Sequence, residues 1–221
     1  MKKKDIVRIA KNSGVNLVYF IYCDNANLIR GKATHIDHLD RRIDSGIGLT
    51  VGQQAAYDMD LVADIEGMGT AGEARILPDI HSIDTFVPLP WSPKRAMLIG
   101  DLVKLDMTPW ACPRTFLKTQ ISKASDLGLE IMTGLEPEWY VAKYDPESDY
   151  YKPIENSQSF HSTGFTPYID FIDDLIETLA VFDMKVETYY PESGPGHIEV
   201  TLRPEDALKA ADNHIFYREA V

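Results

Sequence analysis

Gly134-Leu135-Glu136-Pro137-Glu138-Trp139-Tyr140 and, further along, Glu192-Ser193-Gly194-Pro195-Gly196-His197-Ile198-Glu199 are the stretches whose reading decides this chain. In the first, Glu136 and Glu138 stand at i and i+2, and the two-residue period of a strand puts both carboxylates on one face. Like charges so placed repel, and in a sheet interior they require a cation, a shared proton or an arginine. Pro137 cannot donate to a ladder, so the segment is an edge, a bulge or a special bend. The second stretch supplies a strand-end Glu192, a tight Gly-Pro-Gly turn, and His197 and Glu199 again on a common face. Oxygen ligands suit Mg²⁺ and Mn²⁺, whose main catalytic task is to neutralise and orient phosphate oxygens. Exposed strand glutamates beside a hairpin turn are the plain alternative. It holds for either stretch alone and weakens when both occur in turn-bounded strands.

Composition narrows the setting. With 221 residues, 44% hydrophobic and 25% charged, the chain reads as a globular protein with a real core and room for two domains. A formal charge of −12 argues against binding to the nucleic-acid backbone, which Lys and Arg drive. Only Cys23 and Cys112 occur, without metal-type spacing, so neither a disulfide framework nor a zinc site is expected and a reducing cytoplasm fits. The lysines before Ile6 lead into no apolar stretch, and no run approaches the roughly 18 apolar residues of a spanning helix; neither export nor a membrane is expected.

Local patterns predict the elements. Asp5 to Lys11 reads as a short helix closed by Asn12-Ser13-Gly14, followed by a strand over Val15 to Tyr22 that turns at Asp24 to Asn27 and starts back at Leu28 to Lys32. Pro78, Pro88, Pro90 and Pro93 punctuate the chain before the apolar Ala96 to Ile99, which places a domain boundary near residue 100. Pro113 opens a helix over Arg114 to Leu127, ended by Gly128, and Leu129 to Ala142 is strand material. Thr166-Pro167 begins the clearest helix, with Tyr168, Phe171, Ile172, Leu175, Ile176 and Leu179 on one side and Asp170, Asp173, Asp174 and Glu177 on a wet face. Lys185 to Tyr190 and Ile198 to Leu202 form a strand pair, and Glu205 to Val221 a final helix.

The two glutamate stretches resemble the metal-binding signatures of the glutamine synthetase family, a Gly-x-Glu-x-Glu strand and a Glu...Gly-Pro-Gly-Gln-x-Glu hairpin. Leu89-Pro90-Trp91-Ser92-Pro93, Gly100-Asp101-Leu102 and Thr108-Pro109-Trp110-x-x-Pro113-Arg114 resemble that family's joint between its two domains. Arg30-Gly31-Lys32 resembles a hairpin of its β-grasp domain, and Asp58-Met59-Asp60-Leu61 the segment after that domain's loop. The resemblance implies an α+β chain: a β-grasp-like domain over 1–100 and, over 101–221, the first part of a truncated catalytic domain. It implies that Glu138, Glu192 and Glu199 hold one divalent ion, that Glu136 contributes to a second, and that Glu187 faces the nucleotide. The implied reaction is ATP- and Mg²⁺- or Mn²⁺-dependent: the side-chain carboxylate of glutamate takes the γ-phosphoryl group, and an amine displaces phosphate from the acyl phosphate. Implied too is a homo-oligomer in which the β-grasp domain of one subunit completes its neighbour's site.

Three departures matter. His197 stands where the family often has Gln. The stretch Gly46-Ile47-Gly48-Leu49-Thr50-Val51-Gly52 lacks the acid of the Asp-Gly-Ser loop that binds ammonium, which favours a larger amine and the γ-glutamyl-amine ligase branch. Further, a metal-binding His, a last metal-binding Glu and the arginines that grip glutamate and phosphate find no counterpart up to Val221, so these residues alone are not expected to turn over. No individual catalytic residue is assigned. The competing readings are a structural or interaction remnant without catalysis, and a two-carboxylate hydrolase using Glu136 and Glu138.

Overall fold

Leu17 to Cys23 buries Val18, Phe20 and Tyr22 on one side and Ile21 on the other, so β1 (Leu17–Cys23) is covered on both faces there and belongs inside a sheet rather than at its edge. The computed structural model, which describes every residue except Asp58 and Asp60, places it there. The two aspartates of the stretch Asp58 to Leu61 therefore lie outside the described residues. β1 pairs antiparallel with β2 (Ile29–His35) through the expected hairpin. On its other side it runs parallel to β5 (Arg95–Lys104). β4 (Glu73–Pro78) and β3 (Ile47–Thr50) complete the order β2-β1-β5-β4-β3.

Two helices, α1 (Lys3–Asn12) and α2 (Ile36–Ser45), contribute Ile6, Ala10, Leu39 and Ile43 to the core formed by this sheet. Spacings of four residues put each pair on one helical face. This is the β-grasp-like arrangement expected of the N-terminal part. The stretch Gly46 to Gly52, compared above with a loop, forms β3 and the start of a 3₁₀ turn, its carbonyl at Gly48 accepting from Lys32 Nζ at 2.6 Å.

The first compact unit extends from Met1 to Ile131 and the second from Met132 to Val221. The expected division at residue 100 falls inside β5, because the proline-rich stretch leads back into the sheet rather than out of it. The first unit also contains α3 (Pro113–Asp126). Arg114 Nη1 donates to Asp79 at 2.9 Å and to Asp101 at 2.8 Å, and Lys118 joins the same two carboxylates. Burial opposes ionisation of Asp79, but Lys118 and Arg114 outweigh it and hold that carboxyl well below the usual range.

In the second unit, β6 (Met132–Thr133) and β7 (Glu138–Tyr140) are the ordered remains of the long strand expected over Leu129 to Ala142. Pro137 explains the gap: carbonyls of Leu135 and Pro137 still accept from Leu202 and Val200, yet Pro137 has no N–H to return. A hairpin of β8 (Ala142–Asp145) and β9 (Tyr150–Pro153) follows. A 3₁₀ turn over Ser162–Tyr168 leads into α4 (Ile169–Val181). β10 (Val186–Pro191) and β11 (His197–Leu202) pair antiparallel, and β7 flanks β11, in the order β10-β11-β7. β12 (Glu205–Asp206) pairs with β6 and opens α5 (Ala207–Ala220).

One face of β11 presents Ile198, Val200 and Leu202 to Tyr168, Ile172, Leu175 and Leu179. Phe171 and Ile176, expected on the same apolar side of α4, remain partly exposed, whereas its four acids are solvated as expected. No helix among the described residues is long and apolar enough to cross a membrane.

Candidate metal centre

Because side chains alternate along a strand, burying Ile198, Val200 and Leu202 sends His197, Glu199 and Thr201 to the opposite face of β11. Glu199 lies directly across from Glu138 on β7 and from Tyr190 on β10. The one-sided pairing through Pro137 carries that register on and places Glu136 level with Thr201, on the same face as Glu138. Glu192 follows β10; its backbone N–H donates to the His197 carbonyl at 2.8 Å and its Oε2 accepts from the Ser193 N–H at 2.7 Å. The turn brings it back beside β11.

Gly194 and Gly196 make that turn possible. Gly196 has φ +73°, and a Cβ there would sit 2.6 Å from the Val141 carbonyl oxygen, so only glycine fits. Its N–H donates to Glu155 at 3.0 Å. Burial opposes ionisation of Glu155, but hydrogen bonds from Ser157 and Gly196 hold it below the ordinary value, so it is a fixed anion clamping the turn.

Glu199 is only 4% exposed, and its Oε1 meets no hydrogen-bond partner among the described residues. Across the ladder, the Tyr190 hydroxyl is pushed up to about 12, first by its hydrogen bond to Glu199, then by burial and by the charges of Glu199, Glu136 and Glu192. Three carboxylates thus converge on one phenol. The fourth, Glu138, has its Oε2 3.0 Å from His197 Nε2. The Tyr140 ring stacks on His197 with centroids 4.2 Å apart and planes 10° from parallel.

Glu136, Glu138, Glu192 and Glu199 therefore share one face of one sheet, while Glu187 does not join them. It sits at a bulge where β10 slips register, exposed and roughly 10 Å along the strand from Tyr190 at 3.3 Å per residue. Among the described residues, no three potential ligands form a ready-made cage. A divalent ion nevertheless suits this face: a buried carboxylate oxygen without a donor, facing further carboxylates, is a group that a cation satisfies. Tyr190 and Glu155 were not singled out from the sequence. Tyr190 was legible as the residue two before Glu192 on a strand; Glu155, 41 residues from Gly196, has no local signal.

Residues 1–110 match the glutamine synthetase N-terminal domain and residues 110–221 the glutamine synthetase catalytic domain. The chain belongs to the glutamine synthetase family. It is 27% identical to the glutamine synthetase of Mycobacterium tuberculosis (strain H37Rv) over 229 aligned residues, covering 100% of this chain and 48% of that protein. With the gamma-glutamylanilide synthase of an Acinetobacter species it shares 23% identity over 94% of this chain and 47% of that one. A crystal structure described as a novel glutamine synthase homolog superposes with a TM-score of 0.80 at 29% identity, covering 93% of this chain and 47% of that one. The chain spans about half the length of the curated relatives it matches.

Proposed function

We infer that this chain carries the β-grasp part and the leading catalytic part of an ATP-dependent ligase that makes a γ-glutamyl amide from glutamate and an amine. The observation that carries the reading is the carboxylate face: Glu199, buried with an unpartnered oxygen, with Glu138 opposite and Glu136 and Glu192 near enough to act on Tyr190. Glu138, Glu192 and Glu199 would hold one Mg²⁺ or Mn²⁺, and Glu136 would contribute to a second. The ions supply charge neutralisation and alignment of the phosphate oxygens of ATP. What the chain's own residues do is fix donors. The β11 ladder sets Glu199, the Gly196 turn clamped by Glu155 sets Glu192, and Tyr190 hydrogen-bonds Glu199 so that its second oxygen stays directed at the face.

Glu187, exposed at its bulge, is assigned to the nucleotide side. The missing acid over Gly46 to Gly52 and the relationship to a γ-glutamylanilide synthase favour an amine larger than ammonia. A homo-oligomer, with the β-grasp unit of one copy completing the site of another, follows from the family resemblance, and a cytoplasmic setting agrees with two cysteines that are not joined in a disulfide. The 221 residues assayed by themselves are expected to bind metal and ATP without turnover.

Calorimetric titration of Mn²⁺, repeated with ATP and with Glu192→Gln, tests the reading. Binding that is strengthened by ATP and lost in Glu192→Gln supports it; a folded protein that takes up no Mn²⁺ refutes it and leaves a fold without the activity. An amine panel with ADP release as readout tests the branch in a chain of family length, where turnover with ammonium alone would refute the preference for a larger amine.

A further inference from the structure

We propose that His197 is itself a metal ligand, which turns an all-oxygen site into a mixed nitrogen–oxygen one and moves its preference from Mg²⁺ toward Mn²⁺ and Co²⁺. The proposal rests on the carboxylate face being the metal site, and it goes further in assigning a nitrogen donor where the family pattern has an amide. Three independent features carry it.

The first is which ring nitrogen is available. His197 Nδ1 lies 3.2 Å from the Ser193 carbonyl oxygen, so Nδ1 is the nitrogen tied to the backbone and Nε2 is the one turned to the carboxylate face beside Glu138. A histidine held through one nitrogen by a backbone carbonyl, with the other turned to the site, is how metal-binding imidazoles are fixed. The second is spacing. Nε2 is 3.0 Å from Glu138 Oε2. Two donors each about 2.1 Å from an octahedral ion and at right angles to it are about 3.0 Å apart, so the pair already has the separation that one ion requires. The third is preorganisation. The ring is buried, stacked on Tyr140 and two residues from Glu199, whose unpartnered oxygen faces the same side. Glu199 is the remaining donor, and Glu138, with its side chain 48% exposed, has room to turn its carboxylate toward it.

Imidazole favours later first-row ions over Mg²⁺, whereas a glutamine amide adds only another oxygen or no ligand. The test is pulsed electron paramagnetic resonance on the 221-residue protein loaded with Mn²⁺ alone. Expected are ¹⁴N couplings that change to the ¹⁵N pattern on histidine labelling and vanish in His197→Gln. In parallel, the Co²⁺-over-Mg²⁺ preference measured by competition should fall at least about tenfold in that variant, since even residues behind the ligands change affinity by about 10–100-fold. If His197→Gln does not fold, the labelled wild-type spectrum together with His197→Asn decides. Mn²⁺ uptake that is abolished by Glu192→Gln but shows no nitrogen coupling, with an unchanged Co²⁺-over-Mg²⁺ preference in His197→Gln, overturns the proposal and leaves the carboxylate site standing. Absence of Mn²⁺ uptake by folded wild-type protein overturns both.

Discussion

Replacing Glu199 with Gln should stabilise the metal-free protein and destabilise the metal-loaded one, reversing the order of melting temperatures. Glu199 and Glu138 are directly opposed in the β11 ladder, and like charges so placed cost a few tenths to about 1 kcal/mol. Oε1 of Glu199 is buried without a partner, which adds a desolvation cost of about 1–3 kcal/mol that a neutral amide partly removes. Gln conserves the shape and can still accept from Tyr190, so packing is retained. The net gain without metal is placed at about 1 kcal/mol. For a unit the size of residues 132–221 this is about 4–8 °C in Tm. With Mn²⁺ at a hundred times its Kd, wild type gains about 2.7 kcal/mol and the variant almost none. Thermal unfolding followed by circular dichroism, with chelator and then with Mn²⁺, reads both arms. A variant less stable than wild type in chelator, together with an equal Mn²⁺ shift in both proteins, would refute the reasoning.

The same substitution should ease ionisation of Tyr190: its tyrosinate absorbance in the difference titration should appear at lower pH than the value of about 12 to which wild type is pushed, since the acceptor of its hydrogen bond, the largest cause of the shift, would no longer carry a charge. Asp79→Ala leaves the buried Arg114 short of one carboxylate and should cost about 3 kcal/mol by urea unfolding of the first unit. Because Asp79 is held below its ordinary 3.8, its contribution is fully present above about pH 4 and lost as pH falls further; acid unfolding of wild type should therefore be steeper than that of Asp79→Ala below that pH. Leu179→Ala, at a fully buried position in the second core, should cost about 2–5 kcal/mol without changing Mn²⁺ affinity in the folded protein at low temperature. Gly196→Ala should weaken Mn²⁺ binding and stability together, because φ +73° and the Val141 carbonyl leave no room for a methyl group.

Much of the fold was legible because its signals are local. The apolar run over Val15 to Tyr22 gave β1, Pro113 and Gly128 bracketed α3, and the spacing of Ile172, Leu175 and Leu179 gave the buried stripe of α4. The expected long strand around Gly134 was shortened by Pro137, whose missing N–H is itself visible in the sequence. Period-two reasoning also placed His197 and Glu199 on one side of a strand. It could not say that this side would be buried, because burial of Glu199 comes from the strands on either side of it.

The residue pattern by itself determined the family resemblance, the pairing of two glutamate stretches and the glycines that their turn needs, since each depends on neighbours a few positions apart. Only the tertiary structure decided that β11 lies between β7 and β10, which sets Glu199 against Glu138 and Tyr190, leaves Glu187 at a bulge and turns His197 Nε2 toward a carboxylate. Those contacts join residues tens of positions apart, and strand order and register bring them together; no local periodicity encodes either.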